Sequence, residues 1–208
     1  MEGTTMLRVG QLLPLLAAAL LLGLLGTGSF ALANSSHDRS PGHKHHSGNQ
    51  SCGEGGYSAW DEEWLKMSIQ GDLFEIQGGN LAQQQATTQI VRDLGARLVK
   101  DHTKSLHDAA DVADQLGIDV PDKPSPSQQW ELRAVAQFKG AEFDKWYSDL
   151  EVQDHVQDIQ EAQDELDKGC NDQIRQLAED DLPVLQQHLE LARAALAATG
   201  AMNSNNDE

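Results

Sequence analysis

From Trp60 to about Ala198, apolar residues recur every three or four positions, and no strand-like alternation competes with that period. The spacing predicts a first helix over about residues 60–85, with Trp64, Met67, Gly71, Phe74, Gly78 and Leu81 on its buried stripe. A second helix over about 89–116 carries Val91, Gly95, Leu98, His102, Ala109 and Leu116. "GIDVPDKPSPS" then breaks the pattern with one glycine and three prolines. A short helix at about 127–138 precedes a third long helix at about 141–167, striped by Val152, His155, Ile159, Ala162 and Leu166. After "KGCND" a fourth runs over about 172–198, with Ile174, Leu177, Asp181, Val184, His188, Leu191 and Ala195 inward and a kink expected at Pro183. Short connections make hairpins of helices one–two and three–four. The fold class is therefore all-α: an up-down-up-down four-helix bundle with an extra short helix before helix three.

Titratable groups lie on these apolar stripes. At a rise of about 1.5 Å per residue, with both hairpin turns at one end, Glu75, His102, His155 and His188 fall roughly 18, 22, 21 and 27 Å below the turns. One metal-capable side chain from each long helix thus reaches the middle of the core. Buried polar groups without partners are costly. Either a bound cation or a hydrogen-bonded network that sets helix register would satisfy them. As metal ligands, these four would take one transition ion (Zn, Cu, Fe or Mn), with Asp101, Asp154 and Asp181 as supporting carboxylates. Glu151 shares a helix with His155 but lies off the stripe.

The amino terminus reads as an export signal over residues 1–33: Arg8, a Leu/Ala-rich run, then Ala31-Leu32-Ala33. Cleavage gives a periplasmic or secreted protein; an uncleaved run would instead anchor it, facing the periplasm. Residues 34–58 are rich in Gly, Ser, Asn and His and read as a disordered tether. Its His37, His43, His45 and His46 form a weak accessory metal tract. Residues 59–198 form the bundle domain, and 199–208 a disordered tail. A formal charge of −18 argues against nucleic acid and against anionic membrane surfaces as partners. Monomer and homodimer both remain open. The four tryptophans read as packing residues.

Several chemistries are absent from the sequence. It contains no Glu-x-x-His, the motif that carboxylate-bridged di-iron bundles use on two helices, and no H-E-x-x-H, Walker A, G-x-G-x-x-G or G-x-S-x-G. No motif identifies a reaction. In order along the chain come "WLKMSIQGDLFEIQGGNLAQQQA", "IVRDLGARLVKDHTKSLHDAADVADQLGIDVP", "GAEFDKWYSDLEVQDHVQDIQEAQDEL" and "LPVLQQHLELARAAL". Together these resemble the bacterial domain-of-unknown-function family 4142 over about residues 60–197. The resemblance implies a ferritin-like four-helix bundle and export, and puts the family's pattern on Glu75, Asp101, His102, His155, Pro183 and His188. It implies no activity. Two classes of function stay open: a metal-binding bundle, and a non-catalytic envelope or stress interaction module with a polar core network.

Cys52 and Cys170 are the last constraint. An exported chain with two cysteines ordinarily pairs them, but the expected topology puts them at opposite ends. Cys52 precedes Trp60 by eight residues, a reach of at most about 28 Å, whereas helix one spans roughly 39 Å. The expectation is no intramolecular disulfide.

Overall fold

The computed structural model describes residues 51–203, with side chains through Gly200. The signal at 1–33, most of the 34–58 tether with its four histidines, and residues 204–208 lie outside the described residues. Five helices make up the rest: α1 (Ala59–Gln85), α2 (Gln89–Leu116), α3 (Pro126–Val135), α4 (Ala141–Lys168) and α5 (Asp172–Asn203). No strand occurs among the described residues. Local chemistry sets the boundaries. Ser58 and Asp61 form a reciprocal capping box at the start of α1, and Ser125 and Gln128 do the same for α3 behind Pro126. Gly117 ends α2 in the left-handed conformation, at φ 68°, which glycine enters without a Cβ clash. Helix α5 runs through Pro183 to Asn203, so it covers the start of the expected tail, and Thr199 is buried.

The up-down-up-down topology does not survive. Asp144, in the first turn of α4, accepts from the backbone N–H groups of Thr87 at 2.9 Å and Thr88 at 2.8 Å. That places the start of α4 at the α1–α2 turn. At the other end Asp61, in the first turn of α1, accepts from the N–H groups of Cys170 at 2.8 Å and Asn171 at 3.0 Å. Helix α4 therefore runs parallel to α2, and the chain goes up, down, down, up. α1 packs on α2, α2 on α5, α5 on α4 and α4 on α1, so each of these neighbouring pairs is antiparallel. The Pro-rich segment after Gly117 explains the reversal. It turns no hairpin. Extended residues at ~3.3 Å each, with α3 adding about 15 Å, climb the length of the bundle before α4 begins.

The same reversal brings the cysteines together, and the expectation of no disulfide is wrong. Cys52 and Cys170 are bonded, with Cα atoms 5.6 Å apart. The end of the tether is folded too. Gly53 N–H donates to the Tyr57 carbonyl at 3.0 Å, and Asn171 Nδ2 donates to the Gly56 carbonyl at 2.8 Å.

Helices α1 and α2 approach closely at Gly79 and Gly95. A Cβ on Gly79 would stand 2.5 Å from the Gly95 carbonyl oxygen, and one on Gly95 would stand 2.7 Å from the Gly79 carbonyl oxygen. The apolar interior then falls into two clusters. One, toward the disulfide end, contains Trp64, Leu65, Ile69, Ala109 and Ile174; the other, toward the α1–α2 turn, contains Leu94, Leu98, Phe143, Tyr147 and Ala192. Trp64 sits in the first; Trp146, though 46% exposed, stacks on Phe138 with ring centroids 5.4 Å apart, and the packing role fails only for Trp130, at 65% exposed, among these three. Between the clusters lies a layer of buried polar side chains.

Candidate metal centre

Three imidazoles occupy the middle of that layer. His102 on α2, His155 on α4 and His188 on α5 are buried, with ring centroids 5.2 to 5.8 Å apart. One ring nitrogen from each lies within 4.8 Å of the others. In every ring one nitrogen is held by an oxygen. His155 Nδ1 donates to the Glu151 carbonyl at 2.9 Å, a bond in which the carbonyl can only accept. His188 Nε2 donates to Asp101 at 3.0 Å. Burial pushes the Asp101 carboxyl upward, but bonds from Arg97 and His188 hold it below its usual range, so it stays an anion. His102 Nδ1 shares a proton with Asp72 at 2.9 Å. The other nitrogens, His102 Nε2, His155 Nε2 and His188 Nδ1, have no protein partner among the described residues.

Electrostatics keeps these rings neutral. Burial lowers His102 to about 4, His155 to about 3 and His188 to about 4, and for His155 and His188 repulsion between the imidazolium forms adds to it. At neutral pH the layer therefore presents unprotonated nitrogens, the form that binds a metal. A carboxylate or carbonyl on the far nitrogen is how proteins orient metal-ligating histidines.

Glu75 is buried but is not part of this group. Its Oε1 lies 4.0 Å from His155 Nδ1, the nitrogen already committed to Glu151. It belongs instead to two overlapping groups, one with Glu151 and His155 and one with Asp154 and Asp158. Of the supporting carboxylates, Asp101 meets His188, on a different helix. Asp154 stands with Glu75. Asp181 accepts from Ser105 Oγ at 3.2 Å, burial lifts it to about 6, and no hydrogen bond links it to a histidine. Two contributors escape the stripe analysis. Asp72 lies three residues before Glu75 and so shares its face, a legible signal. Glu151, read as off the stripe, is 1% exposed; the α1 face that buries it belongs to the tertiary structure.

A cavity of about 200 Å³ opens on His102 and His188, lined also by Asp72, Arg97, Asp101 and Asp181 among others. A second, of about 430 Å³, lies between α1, α3 and α4 and reaches Asp154 and Asp158.

These features define an all-α bundle whose core is interrupted by a histidine and carboxylate layer. The chain belongs to the family described as Domain of unknown function (DUF4142), which it matches over residues 48–195. No curated protein matches it. Among solved structures it is similar to the crystal structure of a DUF305 fragment from Deinococcus radiodurans, at 10% identity and a TM-score of 0.61. That match covers 68% of this chain and 98% of the fragment. At that identity the likeness concerns the fold alone.

Proposed function

We propose that this is an exported, ferritin-like bundle protein that binds one transition-metal ion through His102, His155 and His188. The observation that carries the reading is the set of three buried neutral imidazoles, each tethered at one nitrogen and unpartnered at the other. Lone pairs so confined repel one another, and a cation relieves them. An all-imidazole set suits Zn or Cu best, with Fe and Mn as weaker fits. Asp72, Asp101 and the Glu151 carbonyl orient the rings. The single long crossover between α2 and α4 supports the ferritin-like assignment. The signal-like amino terminus supports export, with which the disulfide is compatible. No helix among the described residues is long and apolar enough to cross a membrane. The acidic balance disfavours nucleic acid and anionic membranes as partners.

The test uses tag-free mature protein in which His37, His43, His45 and His46 are all replaced by serine, so that only the core site reports. Calorimetric titration with Zn²⁺ or Cu²⁺ should show one tight site, lost in His102→Ala and in His188→Ala. At metal concentrations 100 times Kd, mass action adds about 2.7 kcal/mol of stability. No Zn²⁺ or Cu²⁺ binding and no thermal shift with either would end the proposal in favour of the register network.

A further inference from the structure

The carboxylates beside the histidines form a separate group. Glu75 is 0% exposed and both of its oxygens lack a protein partner; Glu151 Oε2 and Asp154 Oδ2 lack one as well. One carboxylate oxygen each from Glu75, Asp154 and Asp158 lies within 4.8 Å of the others. Glu151 Oε2 approaches from the other side, 3.8 Å from His155 Nδ1. A further polar group faces them. The Tyr147 hydroxyl is fully buried beside Glu151, where it favours the ionised carboxyl but makes no well-formed hydrogen bond. Acceptors gathered with few donors, Glu75 fully buried and Asp154 and Asp158 partly so, repel one another and forfeit hydration. Protons or a cation must supply the missing charge.

We propose that Glu75, Asp154 and Asp158, with Glu151 beside Glu75, form a second cation site, distinct from the histidine site, for a divalent ion that prefers oxygen donors, of the Mn²⁺ and Ca²⁺ class. His155 adds no nitrogen to it, because Nδ1 is bonded to the Glu151 carbonyl, so the donor set is all oxygen. Oxygens up to 4.8 Å apart fit around one ion at metal–oxygen bonds of about 2.0–2.6 Å. The approach is also acidic. The 430 Å³ cavity is lined by Glu63, Glu131, Asp154, Asp158 and Glu161 with no lysine or arginine, whereas the histidine-side cavity, which shares Asp158 and Glu161, sets Arg97 and Lys104 among its carboxylates. An acid-lined cleft concentrates cations.

Mn²⁺ titrated into the tag-free protein with the four tether histidines replaced by serine, and followed by the loss of its free six-line electron paramagnetic resonance signal, reads this site directly. One Mn²⁺ per chain should bind, with competition from Ca²⁺. Binding should survive in His102→Ala/His188→Ala, where Zn²⁺ binding at the histidines is lost, so the two proposals fail separately. Glu75→Gln should weaken Mn²⁺ at least tenfold while leaving Zn²⁺ binding in place. If Glu75→Gln does not fold, Asp158→Asn at the cavity wall must show the same weakening. A signal that stays free at millimolar Mn²⁺, or equal binding by the wild type and the carboxylate variants, would overturn the proposal.

Discussion

Replacing Gly95 by alanine tests the helix contact on which the polar layer depends. The new methyl would stand 2.7 Å from the Gly79 carbonyl oxygen and 2.8 Å from Ala82 Cβ. Neither is the end of a flexible side chain, so α1 and α2 must separate. Overpacking of this kind costs about 1–3 kcal/mol, and two rigid contacts put it near the upper end. Alanine returns about 1 kcal/mol of helix propensity. The net loss is about 2 kcal/mol, and the melting temperature should fall roughly 4–8 °C at about 2–4 °C per kcal/mol. Gly71→Ala is the internal control, because a Cβ there meets nothing within 4 Å. It should raise the melting temperature by roughly 2–4 °C from propensity alone. Both variants can be followed by circular dichroism melts and by Zn²⁺ titration. Asp72 and His102 each lie seven residues from their helix's close-contact glycine along the same interface, so separating the helices should also weaken Zn²⁺ at the histidines. If both alanines stabilise the protein equally, the close approach is not there and the reasoning fails.

Reduction of Cys52–Cys170, or Cys170→Ser, opens a loop of sequence separation 118, which in the chain-entropy account costs up to about 5 kcal/mol. Denaturant midpoints with and without reductant measure this, and an unchanged midpoint would refute it; non-reducing peptide mapping should recover the linked pair from monomer. Glu165 supplies a pH dependence remote from the histidines. Burial, then repulsion from Asp61, lifts it to about 8. The folded state thus keeps a proton that the unfolded chain releases near the ordinary 4.5. Its contribution is complete at acid pH, declines as pH rises from 4.5 to about 8, and is flat above that. Glu165→Gln should remove that part of the slope, at most about 1.4 kcal/mol per pH unit for one proton. Equal slopes in the two proteins across pH 5–8 would contradict the assignment.

What the sequence determined is the part that depends on local period and on distance from helix centres. Helix existence follows from the three-to-four spacing and the caps, and the long helices begin and end close to where that pattern puts them. The level of the histidines follows too, for a specific reason. His102 lies thirteen residues after Gln89 and fourteen before Leu116, and His155 fourteen after Ala141 and thirteen before Lys168. His188 lies sixteen residues after Asp172 and fifteen before Asn203. A residue at the midpoint of a helix keeps its height when the helix is reversed, so incorrect directions for α4 and α5 still left the imidazoles in one layer. End-dependent inferences had no such protection. The disulfide, the pairing of Asp144 with the α1–α2 turn and of Asp61 with the α4–α5 turn all required knowing which way the crossover runs. Only the assembled bundle decides that, because a Pro-rich connection long enough to climb the bundle permits either direction. Tertiary structure also divided the polar layer in two. Glu75 and Glu151 meet because α1 packs against α4, and no single-helix stripe records which neighbour covers it.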